Sequence, residues 1–282
     1  MNNDTTDNII HFLCRSFTMK LGFIGCGNMA KAMISGILKG KVLAAQDVAA
    51  FDVYKSASEA AQKELGIKAL ASADEIVAFA DTVVLAVKPQ FYADVIKGIK
   101  DKVTQNHLIV TIAPGQTLAK LESLFGKAVK IVRTMPNTPA LVGEGMTALC
   151  RSETVSEDEL KSVRALFDSF GKTETVAEYM MDAVVAVAGS SPAYVFMLIE
   201  AMADAAVMGG IPRSSAYTFA AQAVLGSAKM VLETGKHPGD LKDMVCSPAG
   251  TTIEAVRVLE RDGFRSSVIE AMDACIKKSK SL

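Results

Sequence analysis

Two stretches of this chain combine residue types that could hold an anion and act on what it belongs to. The first is Gly25-Cys26-Gly27-Asn28-Met29-Ala30. Gly25 permits a tight turn, Gly27 lets the backbone approach a pyrophosphate, and the small Ala30 lets a helix pack close to a strand. The second is Cys246-Ser247-Pro248-Ala249-Gly250-Thr251-Thr252. Ser247, Thr251 and Thr252 supply hydroxyls, while Ala249 and Gly250 leave backbone N–H groups unshielded. Small residues leading into a helix start suit a carboxylate as well as a phosphate. The plain alternative for this loop is a helix cap by Thr251 or Thr252.

The elements around these stretches decide what they can do. Leu21, Phe23 and Ile24 read as a short buried strand, and Met29, Met33, Ile34 and Ile37 as one face of a helix over about 28–39. Strand, glycine turn and helix in that order are the setting of a dinucleotide fingerprint. Ile24, Gly25, Cys26, Gly27, Asn28 and Met29 then face the pyrophosphate. Residues 48–53 form a second strand. Asp52 near its end is placed to bond the adenosine ribose and favour NAD. Lys55 and Ser56, just beyond, could instead hold the 2′-phosphate of NADP; an ordinary surface turn is the third reading. Residues 83–87, 108–112 and 130–132 are continuous apolar runs, as in parallel strands covered on both faces. They lead into Lys88-Pro89, Ala113-Pro114-Gly115 and Met135-Pro136-Asn137-Thr138-Pro139. All three tails fall on the sheet edge where such folds bind ligands. Ser156-Glu157-Asp158-Glu159 is a capping box opening a helix with the stripe Leu160, Val163, Leu166, Phe167 and Phe170. Residues 173–176 are a last strand.

From about 178 the texture changes to dense methionine and alanine in long helices. Helices are expected over about 179–188, from Ser191 as N-cap to about Met208, from Ser214 to Glu233, from Leu241 to Val245, from the loop to about Arg261, and after Gly263. The expected architecture is an α/β Rossmann domain with a doubly wound, mostly parallel sheet, followed by an all-α dimerisation domain. The expected boundaries are an extension over 1–18, a dinucleotide-binding domain over 19–178 and a helical dimerisation and substrate domain over 179–282. Glu200 and Asp204 stand four apart on the most apolar helix; a wet helix side or a cap fits them better than an acid/base pair.

Bulk properties exclude several classes. The formal net charge is −1, which gives no field for nucleic acid. Half the residues are hydrophobic and the mean hydropathy is +0.27. Glu200 and Asp204 interrupt the most apolar stretch, so no membrane span is expected. Five scattered cysteines without a CxxC pair point to a reducing cytoplasm. Three isolated histidines lack ligand spacing, so no metal site is expected.

A wider set of motifs identifies a family. Residues 22–29 (Gly-Phe-Ile-Gly-Cys-Gly-Asn-Met), 86–89 (Ala-Val-Lys-Pro), 135–141 (Met-Pro-Asn-Thr-Pro-Ala-Leu), 189–194 (Gly-Ser-Ser-Pro-Ala-Tyr) and 243–252 (Asp-Met-Val-Cys-Ser-Pro-Ala-Gly-Thr-Thr) together resemble pyrroline-5-carboxylate reductase. The resemblance runs from Met19 to near the C-terminus, and the last motif is specific to the family. It implies reduction of 1-pyrroline-5-carboxylate to L-proline, the last step of proline biosynthesis, by hydride transfer from NADPH, with NADH as the alternative. It places Ala86, Val87, Lys88, Pro89, Ala113 and Pro114 along the nicotinamide, with Asn137 beside them. It gives the substrate carboxylate to Ser247, Ala249, Gly250 and Thr251, with Glu178 as a further substrate-side candidate. Thr252 becomes the donor to the ring nitrogen. It also implies a homodimer in which this loop lies over the partner's nicotinamide, with larger assemblies left open. Ala249 stands where the family usually has Gly, a difference of one methyl that should be tolerated.

Rival readings differ in their second halves. β-Hydroxyacid dehydrogenases use a lysine on an early helix of the second domain, and residues 179–208 contain none. A reductase passing hydride between a deazaflavin and NADP would not need the 243–252 loop. A non-enzymatic dinucleotide-binding regulator would bind NADPH and leave it unoxidised.

Overall fold

The apolar runs of the first half become the middle of one sheet. The computed structural model describes residues 19–281, so the expected extension over 1–18 lies outside the described residues. The strands are β1 (Leu21–Ile24), β2 (Val48–Phe51), β3 (Lys68–Ala69), β4 (Thr82–Leu85), β5 (Leu108–Thr111), β6 (Lys130–Met135), β7 (Gly145–Arg151) and β8 (Gly171–Thr175). They lie in the order β3-β2-β1-β4-β5-β6-β7-β8. Every pair is parallel except β6 with β7, which is antiparallel. Chain reversal on either side of β1 makes its carboxyl end the switch point of the sheet, where a ligand crevice opens.

Helices cover both faces, as a parallel sheet requires. On one face Phe23, Val84, Val110 and Val132 pack with α1 (Asn28–Lys39) through Met33, Ile34 and Ile37, and with α6 (Glu157–Asp168) through Val163 and Phe167. On the other, Ile24, Val83, Leu85, Ile109 and Ile131 pack with Ile76 of α3 (Ala73–Phe79), Ile96 of α4 (Tyr92–Ile99) and Leu121 of α5 (Leu118–Phe125). α2 (Lys55–Leu65) follows β2. The run over 83–87 pairs only as far as Leu85, because the chain then turns out of the sheet.

By compactness the chain divides into a unit that ends at Gly189 and takes in the chain again from Lys278, and a unit over Ser190–Lys277. The first closes with a short turn over Glu178–Met180, α7 (Met181–Val184) and a π-helical turn over Val185–Gly189, in place of the continuous helix expected over 179–188. Met181 is buried with Ala148 and Cys150, which ties this helical segment to the sheet.

The second unit carries α8 (Ser191–Met208), α9 (Arg213–Thr234), α10 (Pro238–Val245), α11 (Thr251–Arg261) and most of α12 (Phe264–Ser279). Ser191 is the first residue of α8 and Ser190 the cap position, one residue earlier than expected. α8 packs on α9, yet among the described residues the only buried hydrophobic side chains in this unit are Ala203, Ala216 and Ala220. Phe196, Phe219, Leu232 and Met208 stand open, the last at 89% exposure. The helical run Glu178–Met208 is by length and composition long and apolar enough to cross a membrane, despite Glu200 and Asp204; only 17% of its most apolar window is buried. Asp204 bonds to Arg213, a helix-end pairing that fits the plain reading of that carboxylate.

Candidate functional site

β1 delivers the glycine turn to the switch point, and hydrogen bonds fix it there. Gly25 N–H donates to Phe51 O of β2 (2.8 Å), and Ala86 N–H donates to Ile24 O (2.8 Å). Gly25 has φ +101°, and a Cβ on it would stand 2.5 Å from Ala86 O, so glycine is required on both counts. The sheet therefore brings Ile24, Gly25, Ala86 and Val87 into contact, as the motif reading expects. Gly27 caps α1 without any side-chain hydrogen bond, and a Cβ there would meet nothing within 4 Å. The first N–H groups of α1 thus open onto free space with the positive end of the helix dipole behind them. This cradle fits a dinucleotide pyrophosphate. Burial pushes the Cys26 thiol up, with Asp52 adding to the rise and Lys31 opposing it, so its side chain packs as a neutral group. Asn28 is exposed and Met29 half-buried at the helix start.

Beyond β2, Asp52 takes backbone partners on both of its oxygens. The Asp52 carboxylate accepts from Cys26 N–H at Oδ2 (2.8 Å) and from Tyr54 N–H at Oδ1 (2.9 Å). Lys55 and Ser56 open α2, whose cap position makes no side-chain hydrogen bond; Lys55 Nζ lies 3.2 Å from Glu59 and is exposed. An exposed cation and a helix start without a side-chain cap suit a phosphate.

At the nicotinamide end, Lys88 is exposed before Pro89, and Ala113 and Pro114 close the end of β5. Tyr92 ties these segments together. Its buried hydroxyl donates to Leu85 O (2.7 Å) and meets the backbone of Ile112 and Ala113; burial raises its pKa well above the ordinary value. Sequence reasoning missed Tyr92; the available signal was a hydroxyl among the apolar residues that follow Lys88-Pro89. Two other candidates are held by hydrogen bonds within the first unit. Asn137 is buried, donates from Nδ2 to Ala188 O (3.0 Å) and accepts from Met146 N–H (2.8 Å), so its amide joins the end of β6 to later chain. Glu178 Oε1 accepts from Leu118 N–H (2.7 Å) and from the buried Arg133 (3.0 Å). Through Oε1 this carboxylate caps α5 and pairs with Arg133, while its side chain stays 34% exposed.

In the helical unit, Ser247 to Gly250 form a turn closed by Gly250 N–H to Ser247 O (3.1 Å). Pro248 in the second position and φ +55° at Ala249 in the third are the type II pattern, which favours glycine at that third place. The Ala249 side chain is exposed, so its methyl has room; the cost lies in the backbone torsion, which side-chain size alone did not reveal. A Cβ on Gly250 would stand 2.3 Å from Ser247 Oγ, so only glycine lets this hydroxyl fold over the helix start. Gly250 caps α11 with no side-chain bond, so the plain alternative of a cap by Thr251 or Thr252 does not hold. Thr251 is exposed and Thr252 half-buried, and the hydroxyls of Ser247, Thr251 and Thr252 make no hydrogen bond to another described residue. An uncapped helix start behind a turn of small residues can hold a small anion.

Comparison with known proteins assigns the chain to a family. The family model for pyrroline-5-carboxylate reductase dimerisation matches residues 178–282, and that for coenzyme F420-dependent NADP oxidoreductase matches residues 20–115. The pyrroline-5-carboxylate reductase of Escherichia coli (strain K12) is 53% identical over 93% of this chain and 98% of its own. The chain belongs to the pyrroline-5-carboxylate reductase family. The reductase of Methanosarcina acetivorans is 41% identical over 93% of this chain and 97% of its own. Among solved structures, Plasmodium falciparum pyrroline carboxylate reductase with NADP bound superposes with a TM-score of 0.86 at 33% identity, over 94% of this chain and 98% of that one. Within the reductase family, the two uncapped helix starts fall in the two differently matched regions, one at Gly27 and one at Gly250.

Proposed function

We propose that this chain reduces 1-pyrroline-5-carboxylate to L-proline with NADPH, NADH being the weaker alternative. The observation that carries the reading is the pair of uncapped helix starts: one follows a glycine turn at the sheet switch point, the other a loop of free hydroxyls. The 53% identity to a reductase along nearly the whole chain supports it. Reduction of the C=N bond adds a hydride to carbon and a proton to nitrogen, and the dinucleotide, when bound, supplies the hydride. Ile24, Gly25, Cys26, Gly27, Asn28 and Met29 hold the pyrophosphate, Lys55 and Ser56 the 2′-phosphate. Ala86, Val87, Lys88, Pro89, Ala113 and Pro114 shape the nicotinamide end. The N–H groups at Ala249, Gly250 and Thr251, with the Ser247 hydroxyl, take the substrate carboxylate. Thr252 offers its hydroxyl to the ring nitrogen. A hydroxyl is a weak acid, so it orients or relays the proton, whose source is solvent or protonated substrate.

The working form in this reading is a cytoplasmic homodimer that can assemble further, with the domain boundary at 178. The exposed apolar side chains of the helical unit support dimerisation, because a helix face of this kind needs a cover. The test is loss of reduced-nicotinamide absorbance on adding pyrroline-5-carboxylate, with NADPH and NADH in parallel. Rapid oxidation that is faster with NADPH is expected. Tight nucleotide binding without oxidation would overturn the reading.

A further inference from the structure

We infer that Asp52 is a positioning residue for the phosphate-binding turn and not a ribose ligand, so that it sets affinity for NADPH and NADH alike. The inference rests on the nucleotide reading above. Its place near the end of β2 is where dinucleotide folds put the acid that bonds the ribose hydroxyls. The geometry gives it another task. Oδ2 accepts from Cys26 N–H at 2.8 Å and Oδ1 from Tyr54 N–H at 2.9 Å. Directly before, Gly25 N–H donates to Phe51 O at 2.8 Å. Two consecutive amides of the turn are therefore strapped to the end of β2, one by backbone and one by the Asp52 side chain. The same carboxylate holds the amide of Tyr54, which is the cap position of α2.

Two consequences follow. The pyrophosphate turn and the loop carrying Lys55 and Ser56 are held as one piece before any ligand arrives, which lowers the ordering cost of binding. The carboxylate is also satisfied by two N–H donors, so a phosphate on the neighbouring ribose meets a carboxylate already engaged by the backbone. Discrimination at the 2′ position then falls to Lys55 and Ser56, and Asp52 contributes equally to both cofactors.

The test pairs a binding measurement with one that needs no nucleotide. Dissociation constants for NADPH and NADH are measured by nicotinamide fluorescence on the wild type, Asp52→Ala and Asp52→Asn, and hydrogen exchange at the Cys26 amide is followed in the nucleotide-free proteins. Asp52→Ala is expected to raise both constants by about tenfold, the loss of charge-assisted hydrogen bonds, with their ratio unchanged, and to speed Cys26 exchange. Asp52→Asn keeps one acceptor and the side-chain volume, so a smaller and again equal loss is expected. Weakening confined to NADH, tighter binding of NADPH, or no change in either would overturn the inference. So would unchanged exchange at Cys26. A wild type that binds neither nucleotide would refute the proposed function, while the exchange measurement would still decide the strap.

Discussion

At the scale of single residues, Thr252 and Ala249 separate chemistry from scaffold. Thr252 sits in the first turn of α11, and its hydroxyl makes no hydrogen bond to another described residue, so its removal should leave the fold intact. Thr252→Ala is expected to lower kcat/KM by roughly 1–4 kcal/mol of transition-state stabilisation with the NADPH Kd unchanged. Steady-state kinetics and a binding titration on the same preparation check this, and wild-type kinetics would remove Thr252 from the reaction. Ala249 is a scaffold question. At φ +55° an L residue carries about 1 kcal/mol of backbone strain. Ala249→Gly is expected to recover part of that and raise the thermal midpoint, offset by the greater freedom of glycine in the unfolded chain. The residue type was legible in the sequence; the sign of its effect was not, because torsion is a property of the turn. Asn137 and Glu178 make the same point: their residue types were legible, but the partners that orient them, Ala188 and Met146, Leu118 and Arg133, were not.

At the scale of elements, legibility follows burial. β1, β4 and β5 are buried throughout, so apart from Thr82 and Thr111 at two strand ends they carry only apolar side chains and glycine, and the sequence displays them. β3 is two residues long and offers no period to read. β7 reads Gly-Met-Thr-Ala-Leu-Cys-Arg, and its pairing with β6 is antiparallel, which no crossover helix announces. The capping box of α6 was legible because its chemistry is local: Glu159 N–H donates to Ser156 Oγ, and Ser156 N–H donates to Glu159. Its tertiary partner, Lys130 on β6, was not. Burial alone would raise the Glu159 carboxyl, but Lys130 and the N–H and hydroxyl of Ser156 outweigh it and hold its pKa below the usual range. A depressed carboxyl stabilises the fold above its unfolded pKa, and that stabilisation is lost as pH falls through the folded value. Glu159→Gln should therefore lower the thermal midpoint at pH 7, and the gap from wild type should close as the pH drops below about 4. Thermal melts across that range decide it; a gap constant with pH would assign the effect to capping alone.

At the scale of the whole molecule, the exposed face of the helical unit is what bears on the proposed dimer. Its only buried hydrophobic residues among those described are three alanines, which remove little apolar area from water. Phe196, Phe219 and Leu232 stand 61%, 65% and 84% exposed on α8 and α9. Burying each such side chain is worth about 1.5–3 kcal/mol, and a unit that leaves them in water forgoes most of what stabilises helices. In the proposed dimer a second copy would cover such faces with self-complementary surface. Phe196→Glu distinguishes the two states of the molecule. On an isolated chain the position is exposed, and a charge there should change stability by no more than about 0.5 kcal/mol. In a dimer that buries the face, the same charge is desolvated without a partner at a cost of several kcal/mol. The expected result is a shift in light-scattering mass from the dimer to the 29.9 kDa chain, with a fall in the thermal midpoint. The wild-type midpoint should in addition rise with protein concentration, as linkage to association requires. A wild type whose mass is that of one chain, or a Phe196→Glu variant indistinguishable from it, would mean that this apolar surface stays in water, and the second half of the chain would then need another source of stability.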